Sequence, residues 1–165
     1  MNEYRKQILK WLDVGDWDDW YAVTLTFAQS LPDANGGKCL LSRDIASRNL
    51  RHYLNVLNKR FWGNAARKYG RRCQVIPTFE YGKAPKKYLH YHLFIKKPNH
   101  VPAWKFECRL WSDWFKAEWS ELSVKVRDNT DSGWLEYITK DTRGGKTNPE
   151  WNFENVDFNN IWFAG

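Results

Sequence analysis

Residues 88–97 read YLHYHLFIKK, and the two faces of this stretch decide the fold. Successive side chains of a β-strand point to opposite sides, so Leu89, Tyr91, Leu93 and Ile95 share one face and His90 and His92 the other. The first face is wholly apolar and belongs against a core. The two histidines are neighbours on the other face. Working outward, a second strand near Cys73–Glu80 is joined to the first by the loop YGKAPKK, residues 81–87, so the two form a β-hairpin with a long loop. A third strand is expected at YAVTLTFAQ, residues 21–29. It is rich in β-branched and aromatic residues, with Val23, Leu25 and Phe27 on one face and Thr24 and Thr26 on the other.

Helices are expected between and after these strands. Ser42 is placed to cap a long helix over residues 43–61, whose apolar stripe is Ile45, Leu50, Tyr53, Leu54, Leu57 and Phe61. LPDANGGK before it reads as a loop, and GNAARKYGRR after it as a basic turn. Pro102 suits the first turn of a Trp-rich helix over about residues 102–119. SVKVR, residues 123–127, reads as a short strand. Ser132 is placed to cap a helix carrying Trp134, Tyr137 and Lys140. At the N-terminus, residues 3–12 suit a short amphipathic helix ahead of the acidic turn DVGDWDDW. The pattern predicts an α+β sandwich, an antiparallel sheet with helices packed on it. The 165 residues suit one domain, 1–143, with 144–165 as a docked edge segment or the start of a linker.

Charge is unevenly spread. The net charge is +7, but Lys59–Lys97 holds 11 Lys or Arg and one acid, Glu80. That basic third has the footprint of a phosphate-binding surface or of a solvated basic face. Arg67, Lys68, Arg71, Arg72, Lys83, Lys86 and Lys87 are its candidate nucleic-acid contacts. Eleven Trp are expected mostly in the core, with some on the surface as stacking platforms. Cys39, Cys73 and Cys108 match no zinc spacing, and their odd number argues against a disulfide framework. The sequence shows no signal peptide and no apolar run of membrane-spanning length, so an intracellular protein is expected.

The chemistry centres on His90 and His92. Two imidazoles at this spacing can converge on one metal ion at roughly 2.0–2.2 Å, although two partly exposed strand histidines would look the same. Glu80 ends the preceding strand of the same hairpin and supplies a third ligand. Thr24 and Thr26 would line the same polar face. Three protein ligands leave positions open for water and a phosphate oxygen, as in a catalytic metal site. Tyr137 and Lys140, spaced i, i+3, share a helix face. There Tyr137 is a candidate nucleophile and Lys140 a phosphate-orienting cation. The alternative for Tyr137 is a core aromatic.

Taken in order, VTLTF at 23–27, HYH at 90–92 followed by LFI, and YITK at 137–140 resemble the HUH endonuclease superfamily. Within it they resemble the rolling-circle replication initiators, or Rep proteins, of small plasmids, phages and single-stranded DNA viruses. The resemblance spans about residues 21–141. It implies a roughly five-stranded antiparallel sheet of RRM-like topology, a Mg²⁺ or Mn²⁺ ion at Glu80, His90 and His92, and a 5′-phosphotyrosine at Tyr137 with a free 3′-OH. The implied substrate is single-stranded DNA at a replication origin, in the loop of a hairpin, with a host helicase as a partner. The implied compartment is the cytoplasm of a prokaryotic host or the nucleus of a eukaryotic one. No P-loop pattern is present, so a minimal nickase or the nuclease part of a longer protein is expected. The competing readings are a single-Tyr transposase of the same superfamily, a non-enzymatic RRM-like nucleic-acid-binding module, and a zinc hydrolase. Lys140, in place of the Gln typical of the transposases, favours the Rep reading over the first.

Overall fold

The computed structural model describes residues 18–81, 88–128 and 156–162. Among these, a four-stranded antiparallel sheet runs in the order β4-β5-β1-β6. Its strands are β1 (Trp20–Phe27), β4 (Val75–Tyr81), β5 (Leu89–Lys96) and β6 (Ser120–Arg127). A separate hairpin, β2 (Ser30–Pro32) with β3 (Lys38–Leu40), projects after β1. The helices are α1 (Arg43–Trp62), α2 (Asn64–Lys68) and α3 (Ala103–Trp114). The protein is thus α+β, with an antiparallel sheet as the alternation predicts.

The alternation places the core. Val23, Leu25 and Phe27 of β1 and Leu89, Tyr91, Leu93 and Ile95 of β5 are buried on one face. Against them pack Leu50, Tyr53, Leu54 and Leu57 of α1 and Phe106, Leu110 and Trp114 of α3. Ser42 caps α1 as the sequence predicts, its Oγ accepting from the Ile45 N–H at 3.2 Å. Gly63 closes the helix with φ 54°, a positive value that favours glycine.

Three expectations need correction. The segment expected to be a plain loop holds the β2–β3 hairpin. The Asp33 carboxylate closes it by accepting from the N–H groups of Asn35 and Gly37, both at 2.8 Å. The basic turn after α1 contains the short α2. The Trp-rich helix stops at Trp114 instead of about 119, with Pro102 as its N-cap. The chain must turn there so that the Trp119 carbonyl can accept from the Ala28 N–H at 3.0 Å and start β6 beside β1. Of the seven described Trp, Trp20, Trp114 and Trp119 are buried, whereas Trp104 and Trp111 of α3 are exposed.

Residues 156–162 lie along the outer edge of β4. Val75 and Trp162 exchange backbone hydrogen bonds of 2.8 and 3.0 Å, and the Asp157 N–H donates to the Pro77 carbonyl at 2.9 Å. Pro77 has no N–H to return, so the pairing breaks into isolated bridges and no regular ladder forms. Side chains complete the docking. Asp157 Oδ2 accepts from the Tyr91 hydroxyl at 2.6 Å, from Ser47 at 2.8 Å and from Asn160 Nδ2 at 2.7 Å, all buried. Residues 156–162 are thus docked on the sheet edge, and the rest of 144–165 lies outside the described residues.

Candidate metal centre

Register assembles the site. Glu80 of β4 lies opposite His90 of β5, which lies opposite Thr26 of β1. One step along, Thr78, His92 and Thr24 form the next row. Cross-strand partners share a face, so all six side chains stand on the side of the sheet away from α1 and α3. The other end of that face is apolar: Ile76, Phe94 and Trp20 are buried there, with Trp20 stacked on Phe94 at 5.4 Å. The polar half of the face is therefore a bounded patch at one end of β4 and β5.

The three predicted ligands converge. Glu80 Oε2 is 2.6 Å from His92 Nε2 and 3.5 Å from His90 Nε2. One ligand atom from each residue can be chosen so that all lie within 4.8 Å of one another. Ligands about 2.1 Å from a shared ion at right angles are about 3 Å apart, so small side-chain shifts suffice to hold one. Side-chain exposure falls from 29% at Glu80 through 19% at His90 to 9% at His92. The centre is thus open on the Glu80 side, where water or a phosphate oxygen could enter.

Neighbouring atoms fix the rings. The Thr24 hydroxyl lies 3.1 Å from His92 Nδ1, and the Tyr88 carbonyl lies 3.2 Å from His90 Nδ1. Both arrangements leave Nε2 turned towards Glu80, as outer-shell partners of metal-bound histidines do. Hydrogen bonds from His90 and His92 hold the Glu80 carboxyl far below the usual carboxylate range, so it is ionised. Burial works to lower the His90 pKa, but the bonds to Glu80 and the Tyr88 carbonyl, with the Glu80 charge, leave it raised. Anionic Glu80 between two imidazoles gives the hard carboxylate and borderline nitrogen set that suits Mg²⁺, Mn²⁺ or Zn²⁺.

The other predicted residues divide. The Thr26 hydroxyl donates to the Ser123 carbonyl, so it ties β1 to β6. Arg67, Lys68, Arg71 and Arg72 lie at the far end of β4, beyond Val75, and are not brought to the metal centre. Lys83, Lys86, Lys87, Tyr137 and Lys140 lie outside the described residues.

Three supporting residues escape a reading of the sequence. Gln29 grips the start of β5: its Oε1 accepts from the Leu89 N–H at 2.9 Å and its Nε2 donates to the Leu89 carbonyl at 3.1 Å. Thr78 is fully buried beside His92, its hydroxyl donating to the His92 carbonyl at 3.3 Å. Lys125 of β6 lies opposite Thr24, which adds an exposed cation to the row of His92. All three signals depend on strand register, which no local motif encodes.

No protein-family model matches the chain, no curated protein matches it, and no solved structure matches it. Residues and geometry therefore carry the functional reading. Among the described residues no helix is long and apolar enough to cross a membrane.

Proposed function

We propose that this chain is a metal-dependent endonuclease of the HUH type that nicks and rejoins single-stranded DNA at a replication origin. The observation that carries the reading is the convergence of Glu80, His90 and His92 on an open, polar patch of the sheet. The succession β1, α1, β4, β5, α3, β6, with β5 and β1 central, supports the RRM-like topology that the motifs imply.

In this reading Glu80, His90 and His92 hold a Mg²⁺ or Mn²⁺ ion, which when bound neutralises charge on the scissile phosphate. Thr24 and the Tyr88 carbonyl keep both Nε2 atoms facing the centre. Lys125, on the same face, attracts the strand through its phosphates. Tyr137 supplies the nucleophile: its phenolic oxygen bonds to phosphorus, its proton passes to solvent, and the bond to the 3′ oxygen breaks. The 5′ phosphate stays on Tyr137 and the released 3′ hydroxyl takes up a proton and is free to prime synthesis. Lys140 orients the phosphate. A non-enzymatic RRM-like module would need aromatic rings exposed on the sheet for base stacking. No ring of β1 or β5 is exposed, which weighs against that reading.

A denaturing-gel assay tests the proposal. Full-length chain is incubated with a pool of single-stranded and hairpin DNAs in Mn²⁺ or in EDTA. A slower-migrating protein–DNA adduct is expected in Mn²⁺ only, and not with Tyr137→Phe. DNA binding without an adduct under any metal contradicts nicking and favours the binding module.

A further inference from the structure

Four cations of the described chain gather in one cleft away from the metal face. Lys59, Arg67, Arg71 and Arg72 line a cleft of about 510 Å³ at the C-terminal end of α1, together with Asn55, Asn58 and Asn64. No carboxylate lines it. Among the described residues none of the four cations forms an ion pair. The chain is folded to gather them. Gly70, at φ 64°, reverses the backbone after α2, and the Cys73 N–H donates to Asn58 Oδ1 at 2.8 Å, which pins Arg71 and Arg72 back against α1. The negative end of the α1 dipole accounts for Lys59 and Arg60 in its last turn. It does not account for Arg71 and Arg72, which lie past both helices. A smaller groove of about 150 Å³ shares Asn55, Asn58 and Arg72 with the cleft, adds Arg51, and reaches Asn159 and Asn160 of the edge segment. It too is free of carboxylates.

We propose that this cleft is a second, metal-independent binding site for the phosphodiester backbone of DNA. The inference takes from the nickase reading only that the polyanion is DNA. Guanidinium forks pair with phosphate oxygens through two parallel bonds, and the Asn carboxamides add further donors. No aromatic ring lines the cleft itself, so cations and carboxamides dominate its contacts and it holds backbone without reading sequence. Its position separates it from the chemistry. Val75, at its end of β4, is five residues from Glu80, roughly 17 Å along the strand, and α1 packs on the opposite face of the sheet. Cleft and metal centre therefore hold different phosphates, about five base-pair rises of 3.4 Å apart where the DNA between them is duplex.

The test is fluorescence anisotropy of the full chain with two labelled DNA hairpins of unrelated sequence, in EDTA, across a KCl series. The variant is Arg67→Gln/Arg71→Gln/Arg72→Gln, whose positions are exposed and whose folding is checked by circular dichroism. Without these three guanidinium–phosphate pairs, affinity should fall at least about tenfold and the slope of log K against log salt should shrink by about 2–3, equally for both DNAs. Unchanged affinity and slope in the variant, weakening for one sequence only, or no binding by the unsubstituted chain would each overturn the proposal. The two readings fail separately. A Mn²⁺-dependent adduct with normal binding by the variant removes the cleft and keeps the nickase. Binding abolished in the variant, with no adduct from the unsubstituted chain, keeps the cleft and removes the nickase.

Discussion

Glu80 sits between two imidazoles, and its charge sets how the centre responds to pH. Its folded pKa lies below the ordinary 4.5, so the stability it contributes is present above that value and lost as pH falls through the folded pKa. The folded pKa of His90 lies above the ordinary 6.5, so its contribution is complete below 6.5 and lost as pH rises through the folded value. The metal-free pair is therefore worth most between about pH 4.5 and 6.5. A metal must displace the His90 proton. Mn²⁺ affinity should accordingly rise about tenfold per pH unit up to the folded pKa of His90 and then level off. Calorimetric titrations at several pH values check this, and a flat affinity across that range would remove His90 from the ligand set. Thr24 acts through His92. Thr24→Val should weaken Mn²⁺ binding by about tenfold or more, and Thr24→Ser should restore it. Equal affinity in all three proteins would mean that the His92 ring is held by packing alone.

The edge segment shows how separate elements are tied to the centre. Tyr91, between the two histidines, points to the opposite face and donates to Asp157. Burial, then the bond to Asp157 and its charge, push the Tyr91 hydroxyl pKa up, so it stays protonated as the donor. Asp157→Ala would leave the buried donors of Tyr91, Ser47 and Asn160 without their shared acceptor, at a cost of about 2–4 kcal/mol. Urea denaturation measures it, and an unmoved midpoint would mean that the segment is not part of the cooperative unit. Ser42→Ala should cost about 1 kcal/mol by removing the α1 cap, read the same way. Both the cap and the paired faces of β1 and β5 are legible in sequence, because a cap and an alternation are local patterns. The Asp157 network is not, because its partners are 66 and 110 residues apart in the chain. The β2–β3 hairpin is hidden for a different reason: its strands are three residues each, too short for alternation to show above the turn residues between them.

Among the described residues, the candidate metal ligands and the arginines of the basic tract occupy different places. The three candidate metal ligands are legible in sequence because two strands of one hairpin carry them all. The basic third of the chain is legible as a tract, yet its arginines fold to the end of the sheet remote from Glu80. Arg72 and Glu80 are near one another in sequence, but an extended strand holds them apart in space. The α+β class follows from the alternation, whereas the order β4-β5-β1-β6 needs the register. Everything proposed for catalysis depends on the centre holding a metal through both histidines. The most direct measurement is pulsed electron paramagnetic resonance on the Mn²⁺-loaded chain with ¹⁵N-labelled histidine. Two coupled imidazole nitrogens are expected, reduced to one in His90→Ala and in His92→Ala. Bound Mn²⁺ with no nitrogen coupling would contradict the account.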